Sequence, residues 1–501
     1  MSSIPHDHHH RRAAWLLLAA VGAGCTDDAL QTDASEQPAT QPAVHRVSGA
    51  DPLPAGCGLP PDDDFTLFTN SEVQPQVAQD PRNPHHLVAI YQQDRWNRFG
   101  SNGAVTATSD DDGQSWRASA NAPAFSRCTG GTPANGGDYD VTTDHWITIA
   151  PTGTAIAVAF SLSRTGETTA ILASRSTDGG RHWQPPVTLQ RDTEVRFFND
   201  RPTVTADPFH PGRIYVAWDR IDDTSTADAS HFTQPLMIAR SEDDGTTWGP
   251  ATLAYDTPVN SGTIGDQISV LPDGALLNVF RLEALEGDDF VGRVNVIRST
   301  DGGHTWSAPT LDFPVPEDFL VPDPDGIDDP LRNASLPLLA VQPGTQIVNA
   351  VWQSTAFTSD GTLHVAFAQS RNGGQTWSAP VRIDRTPVTS ALVPTIAVLA
   401  DGTIAVSYYD SRNNTSDPAT LPTDLWAVQC ARRCSDAAAW TEQHLAGPFD
   451  ARLVPRTSIG RMLGDYTGLV AAGRRFVAVY GVATSDASNP TEIRSTMFAA
   501  R

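Results

Sequence analysis

Short apolar runs alternate with turn residues along most of the chain, and this pattern predicts β-strands. Seven segments each hold one run, a turn and a second run, as in PTVTADP followed by RIYVAWDR. Runs of valine, isoleucine and alanine of this length are typical of strands. The first runs of the seven segments begin near residues 73, 144, 200, 266, 335, 392 and 465. The sequence therefore predicts an all-β fold built from a repeated unit.

One octapeptide follows the strand pairs of the first five units. Its copies are SDDDGQSW (109–116), STDGGRHW (176–183), SEDDGTTW (241–248), STDGGHTW (299–306) and SRNGGQTW (370–377), and a decayed sixth copy spans 435–440. The acidic side chain can accept backbone N–H groups, the glycine can adopt a positive φ, and the tryptophan can bury a large apolar face. We therefore interpret the octapeptide as a structural hairpin turn and not as a catalytic motif.

These octapeptides are Asp boxes, and residues 65–501 resemble the sialidase-like β-propellers that carry such repeats. The resemblance implies a single propeller domain of four-stranded blades over residues 61–501, with the Asp boxes away from the ligand face. Seven strand pairs favour seven blades, with six as the alternative because sialidases proper have six. The seventh unit has room for only three strands, so we expect the segment from Phe65 to Asn70 to supply its fourth strand and close the ring.

In a propeller, a ligand meets the central mouth, where inner strands begin and second strands end. Charged residues stand at these points. The candidate catalytic residues are Asp144, Asp200, Asp266, Asp465 and Tyr466, and the candidate substrate-binding residues are Glu72, Arg95, Arg201, Arg220, Arg281, Arg332 and Arg412. Two of the aspartates could act as acid and base on a glycan. The same residues could instead be turn caps and ion pairs between blades.

The sialidase resemblance also implies three arginines that grip a substrate carboxylate and a tyrosine nucleophile assisted by a glutamate. The family's Arg-Ile-Pro motif near the start of the propeller is absent, and its nearest equivalent is Asp200-Arg201-Pro202 in the third unit. Tyr466, in LGDYTGL, lacks the context of the family's nucleophile. The family's catalytic set therefore does not transfer residue by residue.

Two classes of function stay open on the sequence alone. The first is a surface-anchored, sialidase-like glycoside hydrolase that acts on extracellular glycans, and the second is a non-catalytic propeller that binds glycan or protein at its mouth. Fold alone does not separate them. The expected partner is a glycan or an anionic carbohydrate. We expect Arg201, Arg220 and Arg412 to converge on one cavity, and the anionic-sugar hypothesis fails if they point away from it.

The composition of the chain excludes several kinds of chemistry and of binding partner. The chain has 501 residues and a formal net charge of −24, and all 34 of its basic residues are arginine. The absence of lysine excludes a Walker-type phosphate loop and Schiff-base chemistry, and the acidic balance argues against nucleic acid. We expect a monomer without a cofactor. Calcium at Asp323, Asp325 and Asp328 is an alternative to a solvated acidic turn.

The first 25 residues predict an export signal. Arg11 and Arg12 precede an apolar run, 13–23, that is too short to cross a bilayer as a mature helix. The run ends in GAGC (22–25), which resembles a bacterial lipoprotein cleavage box with Gly22 where leucine is usual. We predict a lipid anchor on Cys25 at the cell surface or in the periplasm, with simple secretion as the alternative. Residues 26–60 are predicted to be a disordered tether.

Four cysteines remain after Cys25. Disulfides are the default in an exported protein, and we predict the pairs Cys57–Cys128 and Cys430–Cys434. Zinc binding is the alternative, but the two close cysteines have no second pair at matching spacing.

Overall fold

The structure, a computed structural model, describes residues 41–62, 64–226, 229–287, 289–315, 320–386 and 389–501. These residues form strands and three one-turn 3-10 helices, Arg127–Thr129, Ala437–Ala439 and Ala451–Leu453, and no α-helix is found among them. None of their helices is long and apolar enough to cross a membrane. The all-β fold predicted from the apolar runs is confirmed.

Seven antiparallel units of four strands follow one another along the described chain, and the strands of a unit pair in the order inner, second, third and outermost. The inner strands are Val73–Asp80, Val141–Ile149, Phe197–Ala206, Ser261–Val270, Leu338–Val341, Leu392–Val398 and Gly468–Ala472. The second strands are Asn83–Trp96, Ala155–Leu162, Ile214–Asp223, Leu276–Glu286, Val348–Ser354, Ile404–Asp410 and Arg475–Ala483. The third strands are Ser101–Ser109, Thr169–Ser176, Leu236–Ser241, Asp289–Ser299, His364–Ser370, Pro422–Cys430 and Thr491–Ala499. The outermost strands are Arg117–Ala118, Val187–Asp192, Thr252–Tyr255, Leu311–Val315, Val381–Arg382, Thr441–Asp450 and Val44–Arg46.

The inner strands contact one another in a closed cycle, in chain order, and the last inner strand lies beside the first. Seven clusters of buried apolar residues fill the spaces between adjacent units, and each cluster draws on both neighbours. Val158 of the second unit and Val216 of the third share one such cluster. Because both faces of a unit are covered, its strands read as continuous apolar runs. This arrangement is a β-propeller.

The strand that closes the ring comes from an unexpected part of the chain. Val44–Arg46 pairs with Thr491–Ala499 of the seventh unit, so the prediction that Phe65 to Asn70 would supply this strand is wrong. Leu67–Phe68 pairs instead with the mouth end of the first unit's second strand. A strand of three residues is too short to leave an apolar pattern in the sequence. The compact unit begins at Gln41, and the predicted signal, Cys25 and the tether up to residue 40 lie outside the described residues.

The octapeptides form the turns between third and outermost strands. In the copy at 299–306, Asp301 accepts hydrogen bonds from the backbone N–H (2.9 Å) and the hydroxyl (2.6 Å) of Thr305. The hydroxyl of Ser299 accepts the N–H of Gly303 (2.9 Å), whose φ of 91° favours glycine. The bonds from Thr305 hold the pKa of Asp301 well below its usual range. The carboxylate is therefore engaged in holding the turn.

Two disulfides and a small sheet complete the fold. The described cysteines form Cys57–Cys128 and Cys430–Cys434, which is the pairing predicted from the sequence. The long connections that precede the fifth and seventh inner strands pair with each other as Leu320–Val321, Leu331–Arg332, Gly460–Arg461 and Arg456–Thr457. One short strand, Phe232–Gln234, joins the third unit to the fourth. At the tip of the 456–461 hairpin, the Ser458 N–H donates to the carbonyl of Asn97 (2.8 Å).

Candidate functional site

One cavity of about 450 Å³ collects charged residues from four separate parts of the chain. Arg95 lies near the end of the first unit's second strand, Asp144 in the second unit's inner strand, and Asp200 and Arg201 in the third unit's inner strand. Arg332 comes from the small sheet. These five predicted residues therefore share one cavity, which we call the mouth cavity. Its other lining residues are Arg98, Phe99, Thr143, Phe160, Phe198, Ser458 and Ile459.

Bulges in the inner strands aim these side chains. The pairing register shifts between Thr143 and Trp146, and again between Asp200 and Thr203. Asp144 and Arg201 stand at these shifts, and each has a φ of 46°, in the left-handed region that residues with a Cβ rarely adopt. The same conformation recurs in or just before the inner strands of other units, at Gln74, Gly265, Ser335 and Val393. Such strain costs about 1–3 kcal/mol per residue and is concentrated at functional sites.

Asp465 clamps two of the cavity arginines. It accepts a bond from Arg201 Nη2 (3.0 Å) and two parallel bonds from Arg332, at 2.8 Å from Nε and 2.5 Å from Nη2. Burial alone would raise the pKa of Asp465, but Arg332 and Arg201 hold it well below its usual range. Asp465 is therefore an ionised, fully paired carboxylate, and it already matches two of the four arginines that line the mouth cavity.

Arg95 differs from both of these arginines. It is 2% exposed, its Nη1 donates to the neutral Gln92 side chain (3.1 Å), and its buried Nε has no hydrogen-bond partner. No carboxylate among the described residues forms an ion pair with it. Burial, reinforced by the nearby charge of Arg332, lowers the pKa of Arg95 to about 9. A buried cation of this kind is costly to maintain and would be stabilised by an anionic ligand.

Asp200 and Asp144 supply the carboxyl groups of the mouth cavity. The side chain of Asp200 is 23% exposed. Burial raises the pKa of Asp200 to about 7; Arg201 opposes this rise and the charge of Asp144 reinforces it. Asp144 accepts a hydrogen bond from Gln74 Nε2 (3.0 Å). The cavity thus holds one carboxyl that stays protonated close to neutral pH and a second carboxyl near enough to influence its charge.

The other candidate catalytic residues lie outside the mouth cavity. Asp266 is fully buried, and burial raises its pKa to about 8. The Tyr466 hydroxyl donates to the carbonyl of His145 (2.8 Å), and its ring packs against Trp146. Burial raises the pKa of Tyr466 well above its usual value. Tyr466 and Asp465 line a separate cavity of only about 20 Å³, so the structure does not place this tyrosine as an accessible nucleophile.

Four of the predicted substrate-binding residues also lie outside the mouth cavity. Glu72 is buried, and Arg281 is buried beside Glu283 (2.8 Å). Arg220 pairs with Asp192 through two bonds (2.9 and 2.6 Å). Arg412 is held by Asp410 and Glu442 and lies 4.0 Å over the ring of Trp426. The expected convergence of Arg201, Arg220 and Arg412 is therefore wrong, because local carboxylates hold two of the three away from the mouth cavity.

The predicted calcium loop is a set of ion pairs. Asp323 and Asp325 both accept bonds from Arg452, at 2.6 and 2.7 Å. Asp328 offers its backbone carbonyl to Arg456 (3.5 Å), and the neighbouring Asp329 pairs with Arg461. Within the described ranges, no group of three or more histidine, cysteine or acidic side chains is arranged to hold a metal ion. These carboxylates brace the small sheet, and the interpretation as a calcium site is wrong.

The sequence analysis missed the apolar part of the cavity wall. The rings of Phe160 and Phe198 meet edge to face with centroids 4.9 Å apart. Both lie in strands, Ala155–Leu162 and Phe197–Ala206, and neither is among the site residues predicted from the sequence. Ser458 and Ile459 reach the cavity on the 456–461 hairpin, which carries no apolar repeat. The position of Phe198, two residues before Asp200, is a signal that could have placed it at the mouth.

Comparison with known proteins gives distant structural likenesses alone. No family model matches the chain, and no curated protein matches it. An α-L-arabinanase from Penicillium chrysogenum, solved with arabinobiose, is 14% identical, covers 92% of this chain and 99% of its own, and has a TM-score of 0.47. The endosialidase of phage phi92 is 10% identical over 92% of this chain and 69% of its own, with a TM-score of 0.48. A protein of unknown function from Dyadobacter fermentans is 13% identical over 88% and 98%, with a TM-score of 0.45. Identities and scores of this size do not transfer an activity to this chain.

Proposed function

We propose that the protein is a glycoside hydrolase that acts on extracellular glycans in the mouth cavity. Asp200 is the general acid and Asp144 its partner carboxylate. The observation that carries the proposal is that two carboxyl groups from different units line one cavity, and that burial keeps Asp200 protonated up to about pH 7. A general acid works best when its pKa lies near the operating pH, and glycoside hydrolysis uses a pair of such groups.

The walls of the cavity suit a sugar. A volume of about 450 Å³ falls within the range of small-molecule sites. The half-buried ring of Phe198, packed against the buried ring of Phe160, offers an apolar surface against which the C–H face of a sugar ring can pack. Thr143, Ser458 and the charged groups supply hydrogen-bonding partners for its hydroxyls.

The anionic-sugar hypothesis that depended on Arg201, Arg220 and Arg412 fails, because local carboxylates hold Arg220 and Arg412. The glycan in this proposal instead carries an anionic group that binds Arg95. Asp465 already matches Arg201 and Arg332, so a three-arginine grip of the sialidase kind is not available. Arg95 has a buried Nε without a partner. Arg98, the fourth arginine on the cavity wall, is exposed and forms no ion pair with a described carboxylate. The support for an anionic substrate therefore comes from Arg95 and Arg98 and not from the set expected from the sequence.

A non-catalytic propeller that binds glycan or protein at its mouth is the second candidate. The ion pairs of Asp465 with Arg201 and Arg332 favour this candidate, because a sialidase-like enzyme would direct such arginines at its substrate.

The test is release of sugar from a panel of glycans that includes neutral and acidic oligosaccharides and a fluorogenic sialoside. We expect turnover on at least one acidic member, and a loss of about 10²–10⁴-fold in Asp200→Ala and in Asp144→Asn. Tyr466→Phe should retain activity. No turnover on the whole panel, with binding retained, would favour the second candidate.

We also propose that the protein is exported and anchored through a lipid on Cys25, with simple secretion as the alternative. The support is the pattern of the first 25 residues together with two disulfides, which are typical of exported proteins. Cys25→Ser should move the protein from the membrane fraction to the soluble fraction. An unchanged distribution would contradict the anchor.

A further inference from the structure

Two buried carboxyl groups, Asp219 and Asp266, lie together with Asp200 of the mouth cavity. Asp200 and Asp219 are directly opposite each other on the inner and second strands of the third unit. Side chains at opposed positions of an antiparallel pair share one face, about 4.5–5.5 Å apart at Cβ. Asp266 lies on the inner strand of the fourth unit, which contacts both of those strands. Asp219 and Asp266 are fully buried.

A short hydrogen-bond network ties Asp219 to Asp266. Gln234 Nε2 donates to Asp219 Oδ1 (2.5 Å) and to the carbonyl of Thr263 (2.9 Å). The Thr263 hydroxyl lies 3.1 Å from Asp266 Oδ2, to which it donates. One oxygen of each carboxyl is therefore held in place, which fixes the direction of the other.

The other oxygens, Asp219 Oδ2 and Asp266 Oδ1, are buried and have no hydrogen-bond donor. A buried carboxylate oxygen without a donor is costly, whereas a protonated oxygen can itself donate to a neighbouring carboxyl. The cation that acts on Asp219 is Arg201, and Arg201 is bound to Asp465. Arg281, on the adjacent second strand, pairs with Glu283. No hydrogen bond from either arginine reaches Asp219 Oδ2 or Asp266 Oδ1.

We propose that Asp219 and Asp266 are carboxylic acids in the folded protein at neutral pH, and that Asp219 donates a hydrogen bond from Oδ2 to Asp200. Asp219 is then a positioning residue for the acid of the proposed function. The protonation of Asp219 and Asp266 does not depend on that function; the effect on turnover does.

Burial supports this assignment, because it raises the pKa of Asp266 to about 8 and that of Asp219 well above its usual value. In the proposed function, Asp200 becomes negatively charged when it gives its proton to the oxygen of the leaving group. A neutral Asp219 can donate to the new carboxylate, whereas an ionised Asp219 would repel it. The proton stays on Asp219 throughout.

The first test needs no substrate. Infrared difference spectra at pH 7 compare the wild-type protein with Asp219→Asn, Asp266→Asn and the double variant. We expect each single variant to lose absorbance in the C=O region of a protonated carboxylic acid. The matched control is Asp301→Asn, because Asn372 already occupies the equivalent position of another octapeptide. The control should lose carboxylate absorbance instead. Loss of carboxylate absorbance in the Asp219 and Asp266 variants would overturn the proposal.

The second test uses turnover on the best substrate of the glycan panel. Asp219→Asn retains an N–H donor, whereas Asp219→Leu and Asp219→Ala do not. We expect the asparagine variant to keep the wild-type pH profile. The leucine and alanine variants should shift the basic limb of kcat/KM upward by about one pH unit, because the Asp200 carboxylate loses a donor. Equal losses at every pH without a shift would indicate a structural role and contradict the proposal. Absence of wild-type turnover would count against the proposed function, and the infrared result would then decide on Asp219 and Asp266 alone.

Discussion

The outer turns and the mouth belong to the same seven units, yet they hold their carboxyl groups in opposite ways. Asp301 in an outer turn is exposed, accepts several hydrogen bonds and has a lowered pKa. Asp266, behind the mouth cavity, is buried, has one unpartnered oxygen and has a raised pKa. The repeated aspartates therefore stabilise turns, whereas the unrepeated Asp200, which lines the mouth cavity and has a raised pKa, is available for chemistry.

The largest effect is expected at Asp465, the ionised and fully paired carboxylate that binds two arginines of the mouth cavity. Asp465→Asn leaves Arg201 and Arg332 buried without their counter-charge, which should lower the free energy of unfolding by about 3–5 kcal/mol. Asp301→Asn in an outer turn should have a much smaller effect, because Asn372 accepts the equivalent backbone N–H in another octapeptide. Urea unfolding of both variants measures the contrast. Equal losses would break the distinction between the two regions.

A second contrast concerns pH. Burial raises the pKa of Glu72 to about 8, although Arg46 opposes this. Between about pH 4.5 and pH 8 the folded protein then keeps a proton that the unfolded chain has lost, so stability falls as the pH rises through this window. Glu72→Gln should reduce the difference in unfolding free energy between pH 5 and pH 8 by roughly 2–4 kcal/mol. A pH dependence unchanged by the substitution would contradict the burial argument.

An arginine inside the mouth cavity and one outside it should differ in their effect on ligand binding. Arg95→Met should weaken binding of an acidic glycan by about 10–100-fold, because a charged hydrogen bond is lost, and should leave a neutral analogue unaffected. Arg220→Met is the control, since Arg220 is already paired with Asp192 outside the mouth cavity. Calorimetric titration of both variants gives the two affinities. A similar loss of affinity in both variants would show that Arg95 does not bind the acidic group of the glycan.

The smallest effect is expected in the octapeptide turns. Trp183 Nε1 donates to the hydroxyl of Thr106 in the preceding unit (2.9 Å). Thr106 stands three residues before Ser109, the serine that begins the octapeptide of that unit. Trp248 Nε1 is buried without a partner, and Ala173 stands at the equivalent position of its preceding unit. Ala173→Ser should therefore add up to about 1 kcal/mol of stability and raise the Tm by about 1–2 °C. Thr106→Ala should have the opposite sign in the same thermal scan.

The fold could be predicted from the sequence because its signals are local and repeated. Each octapeptide specifies its own turn, and each apolar run specifies a strand covered on both faces. Val44–Arg46 could not be found in this way, since three residues carry no pattern and pair with the far end of the chain.

The site was predictable only in part, for a different physical reason. The sequence places Arg95, Arg201 and Arg220 at the ends of predicted strands. The direction in which each side chain points, however, depends on whether a carboxylate lies nearby. Asp192 draws Arg220 away, whereas Arg95 has no such partner among the described residues. The bulges that aim Asp144 and Arg201 depend on backbone conformations that no residue type announces.

The most direct test of the distinction is sugar release measured side by side for three proteins on the same acidic glycan. These are the wild type, Asp200→Asn and Asp301→Asn. If the mouth carries the chemistry, Asp200→Asn should lose about 10²–10⁴-fold in turnover while retaining glycan binding, and Asp301→Asn should match the wild type. Full activity in Asp200→Asn, or an equal loss in Asp301→Asn, would contradict the account.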